Sequence, residues 1–315
     1  MSAHALRIRG AVHFPGRGGI LLARVVSVFA IVLAAILAGH RLLPELGGVT
    51  PVLESVLPWL GVVIVPLVAL AAVARSRGAV VASLTPAVVW GVMFGPSVLR
   101  HPPGGSGDFT VATLNVGVAN DLSGQAVRAA AEGRDVVAAQ ELTPGGPAAK
   151  ELSRIFPHRF QVGTVGLWSR YQLDDAKRVD VGLGWARALR AVVKAEKGDV
   201  TVYVMHLASA RPGETSFRDK TLKEAGEVIA KDKSRRLVLL GDLNTATTDR
   251  ARGNLVPPLR DAQEEAGQGF GFTWPSGFPI TRPDHILYRG MEATLAEVRE
   301  AAGSDHRAAV ADLRF

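Results

Sequence analysis

Nine polar residues stand where the apolar runs of the chain's C-terminal two-thirds end. Asn115 lies at the end of 109–116 (FTVATLNV), and Glu141 directly follows 135–140 (DVVAAQ). His206 ends an apolar run at 200–207, while Asp242 and Asn244 follow RLVLL in the tetrapeptide GDLN at 241–244. Asp284–His285 and Asp305–His306 flank the last two runs, at 285–288 and 308–313. Carboxylates, amides and imidazoles are the groups that hold hard cations, move protons and donate to anions. Any one of these residues has an ordinary explanation: an Asx-turn for Asp242–Asn244, a cap for Glu141, a capped turn for Asp305–His306. Together at strand ends they face a common rim if the strands are neighbours, and that placement reads as a functional site. The 315 residues include no cysteine, which excludes a disulfide scaffold, a zinc-thiolate or iron–sulfur centre and a thiol nucleophile.

The elements that must position these residues are short. Residues 109–116 and 135–140 read as strands, one alternating and one buried. Further strands are expected at 159–168, 186–197 and 200–207, with turns at Gly163, Gly182, Gly184 and Gly198. Residues 216–231 carry helical spacing, and RLVLL at 236–240 is a short buried strand. Many strands and few helices in mixed order predict stacked sheets with outer helices.

The first hundred residues are of another kind. Mean hydropathy is +0.19 for the whole chain, and the apolar residues gather in three stretches at 20–39, 56–74 and 79–98, each long enough to cross a hydrocarbon core of about 30 Å. Only Arg24 interrupts them, one turn into the first, where it can snorkel. Pro58, Pro66 and Pro86 suit membrane helices better than soluble ones. The expectation is a three-helix transmembrane anchor over 1–100, with a hairpin-like insertion of the second and third stretches as the lesser alternative. A Pro/Gly linker follows at 101–108 (HPPGGSGD), then a second domain over 109–315. Arg7, Arg9 and Arg17 precede the first stretch, and Arg75 and Arg77 link the second and third. The positive-inside rule therefore predicts a multi-pass cell-membrane protein with a cytoplasmic N-terminus and an extracytoplasmic C-terminal domain. A cleaved signal peptide at 20–39 would leave that side unchanged.

The charge balance narrows the partner. The chain has 36 Lys+Arg against 29 Asp+Glu, net +7, and eight of those arginines against two acids lie in residues 1–107. The remaining residues carry 28 basic against 27 acidic groups. A pI near 10 thus reflects the anchor, and the nucleic-acid reading that such a pI invites is not supported.

Seven motifs in order resemble those of the endonuclease/exonuclease/phosphatase superfamily: Asn115 in TLNV, Gln140–Glu141, GLWSR at 166–170, His206–Leu207, GDLN at 241–244, RPDHI at 282–286 and SDH at 304–306. The resemblance covers 109–315. It implies an α/β four-layer sandwich, two packed mixed β-sheets flanked by helices, and hydrolysis of phosphate esters with a divalent metal, usually Mg²⁺, with Mn²⁺ the alternative. By that resemblance Glu141 is the metal ligand, Asn115 supports the metal or phosphate, and Asp305 is a further metal-side carboxylate. Asp242 activates water, Asn244 and His306 contact the phosphate, Asp284 holds the His306 ring, and His206 stands near the phosphate as an acid. Pro283 departs from the family's aliphatic residue and puts the placement of Asp284 in question. Trp168 replaces a smaller residue, and His285 reads as structural.

Superfamily members cleave nucleic acids, lipids and small phosphates. The near-neutral second domain argues against a nuclease, although Arg211, Arg218 and Lys220, or 231–236, offer local positive charge. Anchoring confines the site to one leaflet, where phosphorylated lipids are concentrated, and an aromatic loop at 270–280 (FGFTWPSGFPI) precedes Asp284. The overall layout also resembles actinomycete membrane proteins of teicoplanin-type glycopeptide resistance, which implies an envelope lipid substrate such as a polyprenyl phosphate or pyrophosphate. The rivals are an anchored extracellular nuclease and a catalytically silent binding module on the same fold.

Overall fold

A computed structural model describes residues 17–118, 120–210 and 215–315; Arg7, Arg9 and Arg211 lie outside them. The chain divides into two bodies. One comprises residues up to His40 together with Pro58–Met93, and the other comprises Arg41–Leu57 with Phe94–Phe315.

The first body is helical. It takes most of three helical stretches, Arg17–Leu42, Val49–Val73 and Arg77–Leu99, which among the described residues are long and apolar enough to cross a membrane; Arg41–Leu42, Val49–Leu57 and Phe94–Leu99 belong to the second body. Helix α1 (Arg17–Gly39) packs on α3 (Leu60–Val73) through a face of small and branched residues that includes Ala30, Leu33 and Leu37. Pro66 sits inside α3. The Trp90 indole of α4 (Arg77–Leu99) donates to the Pro58 carbonyl at 2.8 Å and lies over Gly61, where a Cβ would come within 2.6 Å of the ring.

In the second body, two six-stranded sheets pack face to face. One has the order β11–β12–β1–β2–β4–β3, from β1 (Phe109–Asn115), β2 (Val136–Gln140), β3 (His158–Val162), β4 (Val165–Ser169), β11 (Glu292–Arg299) and β12 (Ala308–Arg314). The other has the order β5–β6–β7–β8–β10–β9, from β5 (Leu173–Arg178), β6 (Ala188–Ala195), β7 (Gly198–His206), β8 (Leu237–Asp242), β9 (Arg260–Asp261) and β10 (Asp284–Arg289). Alternation sorts the side chains. Phe109, Val111, Val136 and Leu167 of the first sheet meet Leu189, Val202, Val204 and Leu240 of the second in the central core. The opposite faces are covered by α5 (Ser123–Ala131) and α6 (Pro147–Ile155) on one side and α7 (Thr215–Lys231) on the other. This is the expected four-layer sandwich. The expected strand at 159–168 is two strands, because Gly163 turns at φ 56°.

Two parallel pairs set up the site. β1 runs parallel to β2, and β7 to β8. β10 lies antiparallel to β8 with Asp284 opposite Asp242, and His206 is in register with Asp242 on the other flank. Gly241 makes this close approach possible: its φ is 152°, and a Cβ there would lie 1.8 Å from the Met205 carbonyl oxygen. Gly241→Ala is expected to destabilise the protein by about 3 kcal/mol or more, a Tm drop of roughly 6–12 °C. Thermal unfolding in detergent checks this, and an unchanged Tm would contradict it.

Candidate active site

The C-terminal ends of the parallel pairs from both sheets converge, and the sheets are bridged there by side chains. Asn115, at the end of β1, donates from Nδ2 to Asp242 Oδ2 at 3.0 Å, while its Oδ1 accepts from the Gly117 amide. The other Asp242 oxygen accepts from the Asn244 backbone N–H at 2.9 Å. Asn244 donates one side-chain N–H to the Leu207 carbonyl at 3.0 Å. Among the described residues, Glu141 and Asn244 are two of four non-glycine residues with left-handed backbones, at φ 58° and 49°. Asn tolerates that region, whereas Glu is seldom found there. A conformation held against local preference aims the Glu141 carboxylate into the cleft.

Asp284 and His306 form the second half. Asp284 is fully buried, and its Oδ2 accepts from His306 Nδ1 at 2.8 Å and from the Thr273 hydroxyl at 2.6 Å. Pro283 does not displace it: the Pro283 carbonyl accepts the Leu243 N–H and fastens the strand start to the GDLN turn. His306 Nε2 then lies 3.9 Å from Asp242 Oδ2. Burial disfavours the imidazolium, but the Asp284 charge and hydrogen bond, with help from Asp242 and Asp305, outweigh it and push the His306 pKa up to about 10. For Asp242 burial favours protonation, and the two histidines with the hydrogen bonds from Asn115 and Asn244 overcome this and lower its pKa.

His206 lies 3.7 Å from Asp242 Oδ2 and 3.8 Å from Glu141 Oε1, too far for good hydrogen bonds. Burial dominates and lowers its pKa against the pull of Asp242, leaving the ring neutral near pH 7. Its Nδ1 has no hydrogen-bond partner among the described residues. Asp305 accepts from the Trp274 indole at 3.2 Å. Glu141, His206, Asp242, Asn244, Asp305 and His306 all line one cleft of about 360 Å³, and Asn115 braces it from beneath. His285 is a core histidine, bonded to Asp261 at 3.1 Å and to the Thr245 carbonyl at 2.8 Å.

Three contributors escaped the sequence reading or entered it only as part of a motif. Thr273 carries no signal of its own role. Trp274 stood out only as an aromatic. Ser304 of SDH accepts the His306 N–H and donates to the Asn115 carbonyl at 2.7 Å, tying the two halves together. Of the basic groups offered for nucleic acid, Arg218 is buried in ion pairs with Asp249 and Asp219 and offers nothing to a ligand surface.

The donor set fits a hard divalent cation. Glu141, Asp305 and the Asn115 carbonyl supply oxygen only, as Mg²⁺ and Mn²⁺ prefer. Asp242, Asp284 and His306 are the carboxylate and imidazole groups that come within ligating distance of one another among the described residues. In that trio, however, the imidazole Nδ1 is engaged by Asp284 and the ring is held protonated, so the trio is accounted for as an ion pair facing a carboxylate.

The sequence profile of the Endonuclease/Exonuclease/phosphatase family matches residues 112–306. No protein of curated function matches the chain. Similar solved structures include humanized D. rerio TDP2 carrying 14 mutations (TM-score 0.56, 19% identity, covering 66% of this chain and 99% of that one). Two others are the Bacteroides thetaiotaomicron mannosyl-6-phosphatase Bt3783 (0.55, 17%, 66% and 100%) and an AP endonuclease from Archaeoglobus fulgidus (0.55, 15%, 66% and 100%). At these identities the likeness is one of fold.

Proposed function

Because the chain belongs to the endonuclease/exonuclease/phosphatase family, whose members hydrolyse phosphate esters, we propose that it is a membrane-anchored, divalent-metal-dependent phosphohydrolase of the extracytoplasmic face, acting on a phosphorylated envelope lipid. The observation that carries the chemistry is the convergence of Glu141, Asp242, Asn244 and His306 in one cleft, with Asn115 and Asp284 hydrogen-bonded behind them. Glu141, with Asp305 and Asn115 as further oxygen donors, would hold a divalent ion, which would supply charge neutralisation on the phosphate oxygens when bound. Asp242, kept ionised and fixed by two donors, orients a water and takes its proton. The His306 imidazolium and the second Asn244 N–H donate to the phosphate as negative charge builds. His206, neutral and buried, borders the leaving-group side with a ring N–H to donate.

Three features support the lipid as substrate. Three apolar helices precede the domain. The domain's charge is close to balanced, unlike a surface built to neutralise many phosphates. The segment between the first two helices packs against the catalytic body, which agrees with three crossings, since an odd number returns the chain to the side of that segment. The arginines flanking the helices support a cytoplasmic N-terminus. Resemblance to glycopeptide-resistance membrane proteins gives the reading its specific form, a polyprenyl phosphate or pyrophosphate.

The test is phosphate release from a polyprenyl pyrophosphate by full-length protein in detergent with Mg²⁺, beside Glu141→Gln. Release is expected, falling by about a thousandfold in the variant and equally on chelation. Mg²⁺-dependent cleavage of DNA that falls steeply with salt, without lipid turnover, would replace this reading by the nuclease. No turnover of either would leave the silent binding module.

A further inference from the structure

Helix α2 (Val49–Val56) is amphipathic the wrong way round for a soluble surface. It buries Thr50, Pro51 and Glu54, and it leaves Val49 and Val52 62% and 61% exposed. Leu42 and Leu46, upstream in the same segment, are exposed as well. The buried Glu54 carboxylate is gripped on both oxygens: Oε1 accepts from Arg250 Nε at 2.8 Å and Oε2 from the Arg250 backbone N–H at 3.0 Å. The Thr248 hydroxyl donates to the Glu54 carbonyl, and Arg250 Nη1 donates to the Leu43 carbonyl at 2.8 Å. Thr248 and Arg250 lie four and six residues beyond Asn244, so this clasp holds the chain that leads away from the GDLN turn. The next residue, Ser55, lines the catalytic cleft itself.

A second seam lies in the same body. The last turn of α4 meets the aromatic loop through an edge-on contact of Phe94 with Phe270 and a bond from the Gly269 N–H to the Ser97 carbonyl at 2.9 Å. That loop continues into Trp274, another residue of the cleft wall, and Phe278, 68% exposed. Both chain segments that adjoin the apolar helices on this side are therefore fastened to loops that line the cleft. Pro58, where the next apolar stretch begins, is only three residues beyond Ser55, a rise of about 5 Å along a helix.

We propose that Arg41–Leu57 is an interfacial saddle. Its valine and leucine face lies in the surface of the bilayer, and its Glu54–Arg250 clasp fixes the catalytic cleft at that surface, with Ser55 as the cleft's membrane-side wall. The ligand of the outer face is lipid, because the segment runs at both ends into the apolar helices α1 and α3, and the outward face of α2 is aliphatic, with Val49 and Val52 exposed and no charged side chain among them. Burying the one carboxylate of α2 inward, on an arginine, is the arrangement that leaves the outward face of that helix free of charge, while Arg41 and Glu45 stay exposed upstream of it. The consequence for specificity rests on the lipid-phosphate reading above: the cleft takes phosphate groups presented by the enzyme's own leaflet in preference to soluble esters. Glu54 and Arg250 are positioning residues, acting through Ser55 on where the cleft stands at the bilayer and not on the groups that contact the phosphate.

The absence of native cysteine permits a direct test of location. Full-length Val52→Cys, labelled with bimane and placed in phospholipid nanodiscs, is expected to be quenched by a lipid carrying a nitroxide near its headgroup and protected from iodide. Quenching by iodide with none by the lipid overturns the saddle. In the same nanodiscs, Glu54→Ala is expected to lower kcat/KM for an embedded polyprenyl pyrophosphate by about tenfold or more, while kcat for a soluble chromogenic phosphate ester stays within about twofold. Glu54→Gln, which retains an acceptor for the Arg250 N–H, should recover part of that loss. Equal losses on both substrates, or no loss on either, overturn the positioning role. A lipid-quenched Val52 label with soluble-ester turnover but no lipid turnover would sustain the saddle and overturn the lipid substrate instead.

Discussion

Asp242→Asn is expected to lower kcat by roughly 10²–10⁴-fold at saturating Mg²⁺, the range for losing a positioned general base. Each Asp242 oxygen accepts its own donor, Asn115 Nδ2 on one and the Asn244 N–H on the other. An asparagine has a single carbonyl oxygen, so whichever way its amide turns, an NH₂ faces an N–H. The variant therefore loses the proton acceptor and loosens one of the two groups that aim it, Asn115 from the first sheet or Asn244 at the phosphate. The missing charge also matters to the neighbours, because Asp242 lies close to both His206 and His306. Single-turnover kinetics with a soluble phosphate ester measure the loss, and near-native Tm in detergent shows that the sheets remain assembled. A kcat within tenfold of wild type would remove Asp242 from the water-activating role.

The parts of this site legible in the sequence are those where local chemistry and position coincide. GDLN announces itself because a buried run, RLVLL, can only end at a polar turn, and the glycine is demanded by the Met205 carbonyl beside it. SDH is legible for a similar reason: Ser304 and His306 share a backbone turn closed by the serine hydroxyl. Elements whose partners are distant are another matter. β5 (LDDAKR) is a polar edge strand with no buried alternation, held by register against β6 and by ion pairs of Asp174 and Asp175. β11 (EATLAEVR) has helix-favouring composition and is a strand because β12 pairs along it. The Asp284–Thr273 bond joins a strand to a loop eleven residues upstream, and nothing in the type of Thr273 signals it. Glu54 is the sharpest case. The second apolar stretch of the sequence begins at 56, just past Glu54, and that carboxylate has its reason only in Arg250, 196 residues away.

Asp284→Asn separates charge from hydrogen bonding at His306, and its largest effect is expected on the pH profile. Both Asp284 contacts, from Thr273 and His306, fall on Oδ2, while Oδ1 has no partner among the described residues. An asparagine with its carbonyl oxygen in the Oδ2 place keeps both bonds and turns its NH₂ toward the vacant side, so the ring stays oriented and loses only its counter-ion. With a pKa of about 10, wild-type His306 remains an imidazolium throughout the neutral and mildly alkaline range. With the model-peptide value of about 6.5, only about 1% would be protonated at pH 8.5, so kcat/KM there should fall about a hundredfold. The alkaline limb of the profile should move down by about 3.5 units. Stability follows the same linkage. The folded-state pKa is raised, so the pair's contribution is fully present below about pH 6.5 and is lost as pH rises toward 10. The wild-type advantage in Tm over the variant should therefore be greatest in mild acid and fade in alkali. An alkaline limb that stays in place when Asp284 is neutralised would show that the rate does not depend on a His306 imidazolium, and the donor to the developing phosphate charge would then have to be Asn244 or His206.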